Sequence, residues 1–344
     1  MRSYERPSPP DSALSKASLL HACQYQDDDG RFCNPKWVDL NSRGEYRPSY
    51  NISPRNYHPV MLSSVHVPKS ARGRTGHRIM MSPMRWGLVP SWFSGEPQNF
   101  IFNTVNCRLE SCMDRRSFKG AIAAERRCVV VAEGFFEWKN ETNGNKQPYY
   151  VYFKQPRGVD MAAREWDGVT DAHQLMHNGH WIGPRLLTMA GIFDVSTSKD
   201  VLYSYSILTM DAPRYLQWLH NRVPVILDGE EAVASWLDPN YTFEEAQGKQ
   251  RGGQAQEACL QIALQARQEG SQEPLPVIRD VGQLPLLVVE HPLPPPLPLQ
   301  GGDAEALQDA PPHSFRLLGA TPTQALAQTQ RLPSPWPLVL RGVR

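Results

Sequence analysis

The chain has 344 residues, 40% of them apolar, and a formal net charge of only +1. That is ample for a core and one or two domains, but too little charge to hold a polyanion through a global field, so any nucleic acid must be gripped by a local patch. The N-terminus lacks a signal-peptide core, no run approaches the ~20 apolar residues that span a bilayer, and the six cysteines show no Cys-x-x-Cys pair, so the expectation is a soluble nuclear or cytoplasmic protein with free thiols and no membrane partner.

In chain order, residues 1–18 are Ser- and Pro-rich without period and are expected to carry little order. Residues 19–23 read as one or two helical turns. Residues 46–54 hold Pro48 and Pro54, which forbid a helix interior and favour an extended, ordered loop. Residues 60–62 and 65–67 look like strand fragments. Residues 84–93 set Trp86 and Trp92 around Gly87 and Pro90, which suits neither a regular helix nor a regular strand; such aromatics are either core or a rigid wedge against bases. Residues 100–108 alternate apolar and polar and end on Asn106 and Arg108, two apart and therefore on one face of a strand, a pair able to grip phosphate. Residues 113–127 hold five basic and two acidic side chains, and that local surplus places Arg115, Arg116 and Lys119 to share a helix face.

Residues 128–132, Cys-Val-Val-Val-Ala, form a short β-branched apolar run and read as a buried strand. Glu137 comes next, between Phe136 and Trp138. A carboxylate among aromatics loses hydration that nothing apolar returns, so it needs a partner, a ligand or a raised pKa, which is how a general acid/base is made. The alternative is that Glu137 alternates outward from a strand whose aromatics face in. Asn143-Gly144 signals a hairpin, residues 149–153 are strongly β-prone, and residues 155–184 read as a surface excursion. Two more strands are expected at 186–193 and 203–209. Residues 219–227 set His220 and Arg222 two apart before a Pro-punctuated apolar run, and residues 230–237 form a short helix. From about Gly248 the composition breaks: 43 of the last 97 residues are Pro, Gln or Leu, which predicts a disordered tail with a polyproline segment at 292–298.

Five motifs occur in this order: Ser49-Tyr50-Asn51-Ile52-Ser53-Pro54, Pro83-Met84-Arg85-Trp86-Gly87-Leu88-Val89-Pro90-Ser91-Trp92, Asn103-x-x-Asn106-x-Arg108, Gly134-Phe135-Phe136-Glu137-Trp138 and His220-x-Arg222-x-Pro224. Over residues 19–247 the chain resembles the SOS response-associated peptidase family. The resemblance implies a mixed α/β (α+β) fold with a twisted, barrel-like β core, peripheral helices and a cleft for single-stranded DNA containing abasic sites. It implies a covalent chemistry in which an N-terminal cysteine attacks the sugar aldehyde and closes a thiazolidine, a DNA–protein crosslink that shields the lesion in the DNA damage response, with lyase and autoproteolytic activity and no cofactor or metal. By the same resemblance Glu137 is the general acid/base and His220 assists imine chemistry. Asn106, Arg108 and Arg222 hold the DNA backbone, Asn51 supports the pocket, and Pro54, Trp86 and Leu88 stack on or split bases. The implied setting is a nuclear monomer acting with replication-fork proteins.

Two departures qualify that picture. Position 2 is Arg and no cysteine precedes Cys23, so the family's nucleophile is missing as the sequence is written, which leaves enzyme status open. Beyond residue 247 the closing strand expected after the last helix is not recognisable. A non-catalytic single-stranded DNA or protein-interaction module is therefore an alternative, as is a metal site at His173, His177 and His180, spaced like neighbours on a helix.

Overall fold

The computed structural model of the chain describes residues 14–251, apart from 28, 43, 50, 51, 74–76, 141–145, 162–165, 167, 168, 170 and 199, together with 260–264 and 339–341. Its centre is the strand Arg127–Ala132, buried along its whole length. A β-branched run with no polar alternation needs apolar cover on both faces, and here it has it. It pairs antiparallel with Tyr57–Ser63 on one side and Leu187–Ser196 on the other. Tyr57–Ser63 continues to Ile79–Trp86, and Leu187–Ser196 continues to Leu202–Asp211. The ring of five closes where Ile79–Trp86 and Leu202–Asp211 run parallel, with Arg85 opposite Ser204 and Trp86 opposite Tyr205. Closure removes the unpaired edges that an open sheet of this size would present.

Alternation along these strands sorts the side chains. Val60, Leu62, Met84, Val130, Met189 and Ile207 join one apolar cluster. The opposite parity, including Met61, Met81, Val129, Val131 and Leu208, packs with Phe118 and Ile122 of the helix Arg116–Ala123 and with Trp236 of the helix Glu230–Leu237. A second sheet is built on the hairpin Gly134–Asn140 and Lys146–Phe153, with Glu137 opposite Tyr149. The fold is thus the barrel-like β core with peripheral helices that the resemblance implies.

Several local expectations need correction. The first helix runs Lys16–Ala22 and is capped by Ser15, whose hydroxyl accepts from the Ser18 amide at 3.1 Å, and Leu14 is buried. Order therefore begins by residue 14, because a capping serine comes directly after an anchoring leucine. Residues 1–13 lie outside the described residues. The segment 79–86 is regular strand through Trp86; it tolerates Pro83 because Pro83 faces Pro59, so both missing N–H groups fall on one rung. Of residues 100–108 only Asn106–Arg108 is strand, and residues 64–66 form a 3-10 turn. Within the stretch read as a disordered tail, Leu260–Leu264 pairs with Lys146–Phe153 and Val339–Arg341 with Gly134–Asn140. Leu-Gln-Ile-Ala-Leu is a competent strand sequence, and the hairpin offers it an edge; compositional bias hid it. The rest of the tail, with its polyproline segment, lies outside the described residues.

Candidate active site

The last residues of the strand Leu202–Asp211 gather the motifs. On one side Ile207 lies opposite Asn106 and Thr209 opposite Arg108. On the other, Thr209 lies opposite Pro224 and Asp211 opposite Arg222. The Asn106/Arg108 and His220/Arg222 motifs, more than a hundred residues apart in sequence, thus flank one strand end. Glu137 is tied in through its cross-strand neighbour. The Tyr149 ring meets Trp218 edge-on at 5.0 Å, and the Lys139 ammonium lies 5.8 Å from the same indole, two residues before His220.

Glu137 is only 9% exposed and accepts one hydrogen bond from the Trp138 amide at 3.2 Å. Burial raises its pKa, and the nearby His220 charge and the Trp138 amide offset only part of that rise. The outward, solvated placement is not the one adopted. His220 is oriented by its own chain: Nδ1 lies 3.1 Å from both the amide and the carbonyl of Arg222, accepting from the first or donating to the second according to the tautomer. A buried carboxylate of raised pKa with an imidazole nearby is an arrangement suited to proton transfer.

The basic residues divide. Arg108 is exposed and makes no ion pair among the described residues. Arg222 is already engaged: Nη1 and Nη2 donate to the two oxygens of Glu110 at 3.0 and 2.9 Å, Nη1 also reaches Asp211 at 2.5 Å, and Nη2 the Thr209 carbonyl at 2.6 Å. Burial pulls the Arg222 pKa down, but the bonds from Glu110 and Asp211 outweigh it and raise it. Asn106 Oδ1 is buried without a partner. That leaves an acceptor unmet at the strand end, a feature that folding alone does not favour.

The expected base wedge needs correction. Trp86 and Leu88 are completely buried, and the Trp86 indole donates to the Val105 carbonyl at 3.0 Å, so neither presents an exposed face, although Trp86 belongs to the lining of the cleft beside Pro54. Pro54 is half-buried and lines a cleft of about 280 Å³ with Arg55, Arg85, Phe100 and Phe102. Asn51 lies outside the described residues. The exposed apolar groups beside that cleft were missed: Ile101 is 86% and Phe102 60% exposed. Trp92, 41% exposed, is braced by the Arg116 guanidinium 4.4 Å from its ring and by Phe100 at 6.1 Å. Three consecutive apolar residues, 100–102, between Asn99 and Asn103 cannot all alternate inward, and that was the available signal. Glu110, in the turn two residues beyond Arg108, was the other omission.

The three histidines do not sit on a helix. His177 and His180 face each other across the ribbon Met176–His177/His180–Trp181, while His173 lies on the 3-10 turn Ala172–Leu175, 5.9 Å ring to ring from His21. Among the described residues no group of three His, Cys, Asp or Glu side chains is disposed to hold a metal ion. No helix among them is long and apolar enough to cross a membrane. A larger cavity, about 930 Å³, lies elsewhere on Arg78, Trp181, Arg185, Glu231 and Tyr241, and contains none of the candidate site residues.

The pattern of the family described as SOS response associated peptidase (SRAP) matches residues 21–262. The chain belongs to this family. The SRAP match ends inside the strand Leu260–Leu264. The mouse protein named abasic site processing protein HMCES is 46% identical over 231 residues, covering 65% of this chain and 62% of its own length. The chicken protein of the same name is 43% identical over 230 residues, covering 66% and 63%. The chain thus spans less than two thirds of the length of these relatives. A crystal structure of a Bordetella bronchiseptica protein superposes with a TM-score of 0.48 at 17% identity, over 74% of this chain and 98% of that one.

Proposed function

We propose that this SRAP domain recognises abasic sites in single-stranded DNA at the Glu137 end of its barrel and opens the lesion's sugar ring to the aldehyde. The carrying observation is the buried Glu137 carboxylate of raised pKa with His220 beside it. A carboxylate made more basic by burial takes the proton of the anomeric hydroxyl as the ring C–O bond breaks, and His220 supplies a proton to the departing ring oxygen. Exposed Arg108 neutralises a phosphate, while Trp92 and Phe102 give unpaired bases a stacking surface. The names of the mouse and chicken relatives, abasic site processing protein, agree with that substrate.

A second reading is a non-catalytic single-strand binder, which the exposed Arg108 and the exposed Ile101 and Phe102 would serve without any proton transfer by Glu137. An aminooxy probe that traps the free aldehyde separates the two: the chain should accelerate trapping on an abasic oligonucleotide, and Glu137→Gln should remove most of that gain, about 10²-fold or more for a lost general base. Unchanged trapping by wild type with intact binding leaves the binder.

A further inference from the structure

We propose that Glu110 and Asp211 hold, within the chain itself, the place of a DNA phosphate on Arg222, so that seating the strand is an exchange of carboxylate for phosphate. This rests on the reading of the site as a single-stranded DNA interface. A guanidinium fork receives carboxylate and phosphate in the same two-point geometry, and here both terminal nitrogens are already spent on Glu110, with contacts of 3.0 and 2.9 Å. The arrangement is asymmetric in exposure. The Arg222 side chain is 16% exposed, Glu110 45% and Asp211 83%, so the acids cover the cation from the solvent side, the side from which a strand arrives.

Charge sets the order of contacts. Two carboxylates on one guanidinium leave a local net charge of −1 beside the strand end, which repels a phosphate until Glu110 turns away. Turning away is easy, because an ion pair with an exposed acid contributes little net stability and both acids can return to water. The Glu110 carboxylate also accepts from the Asp211 amide at 3.3 Å, a longer contact that gives the displaced group no strong anchor. Arg222 keeps a spare donor, since its Nε is buried without a partner. Arg108, exposed and without an ion pair among the described residues, takes its phosphate first; Arg222 joins only when a strand seated on Arg108 and the aromatic loop presents a second phosphate. The pair of acids thereby raises the threshold for anions that offer only one contact.

A double-mutant cycle tests this on the full chain with a fluorescein-labelled 12-nucleotide single strand, by polarisation at several salt concentrations. Glu110→Gln should tighten binding about tenfold, and that gain should vanish in an Arg222→Gln background, a coupling expected for groups in direct contact. Asp211→Asn, a second variant that keeps Glu110, should tighten binding to a smaller degree. Asp114→Asn, an exposed acid outside the cluster, reports the effect of removing one charge in general. Equal gains from Glu110→Gln in both backgrounds, equal gains from Asp114→Asn, or no gain from either Glu110→Gln or Asp211→Asn overturn the exchange. Wild-type binding with no gain sinks the exchange alone, whereas no single-strand binding by wild type or Glu110→Gln sinks the DNA interface and the exchange together.

Discussion

Arg127 and Arg222 are both largely withdrawn from solvent, and the contrast between them separates scaffold from site. Arg127, 2% exposed, pairs with Glu125 and donates to the carbonyls of Trp236, Asp238 and Tyr241, at 2.7 Å for Trp236. Its donors are spent on three backbone carbonyls, pinning the end of the helix Glu230–Leu237 to the central strand. Arg222 is held by acids that water would serve equally well, leaves Nε unmet, and lies near an Asn106 oxygen also unmet and a Glu137 whose burial is uncompensated. Buried polar groups that are fully satisfied stabilise; those left half-satisfied are tolerated where a ligand completes them. On the proposed reading, burial of charge alone does not mark the site, and incomplete pairing beside Glu137 and Arg222 does.

The contrast is tested most severely at Arg127. Arg127→Leu should destabilise the domain by about 3–5 kcal/mol in urea titration, since it removes the ion pair with Glu125 and three charge-assisted bonds to carbonyls, whereas Arg222→Gln should leave stability within about 1 kcal/mol and change DNA binding instead. Similar losses of stability for both would erase the distinction. Trp86 and Phe102 carry it over to the apolar residues. Trp86→Ala should cost about 3–5 kcal/mol of stability as a core truncation. Phe102→Ala should leave the melting curve in place and weaken single-strand binding by about 1–3 kcal/mol, the range for a lost stacking partner.

Glu137 supplies a pH signature. Its folded pKa lies above the ordinary value of 4.5, so ionising it costs the native state more than the unfolded chain. Glu137→Gln should therefore raise the melting temperature at pH 7 to 8, with the advantage shrinking as pH falls through the folded value and gone below 4.5, where both chains are uncharged at this position. A difference that grows toward acid pH would mean the carboxylate is stabilised by a partner. The smallest effect expected is at Arg108: replacing it by Ala should lower the slope of log K against log salt by about 0.7, the signature of one single-strand phosphate contact.

Much of the fold and the site was legible in the sequence, for physical reasons that can be named. Val129 to Val131 have no alternative to a doubly covered strand, whereas Glu137 between two aromatics left two placements open, outward into water or inward without hydration, and the structure shows the second. Asn106 with Arg108 showed by spacing that the two share a strand face, but only the register on Leu202–Asp211 brings them to the strand end where Arg222 begins its own strand, with His220 in the loop before it. The burial of Trp86 was not legible because an indole next to glycine looks the same in sequence whether it closes a barrel or faces solvent; its partner Tyr205 lies more than a hundred residues away. The strand Leu260–Leu264 was obscured by the Pro, Gln and Leu around it, since a bias taken over 97 residues averages away a run of five.

On the proposed reading, DNA engages the end of the barrel carrying Arg108, Phe102, Glu137 and His220, and not the larger cavity at Arg78 and Trp181. Hydrogen exchange measured by mass spectrometry, with and without an abasic single-stranded oligonucleotide, distinguishes the two faces directly. Binding at the barrel end should slow exchange in residues 97–110, 134–140 and 214–222, with residues 22–26 and 229–241 unchanged. Protection confined to 22–26 and 229–241 would contradict it.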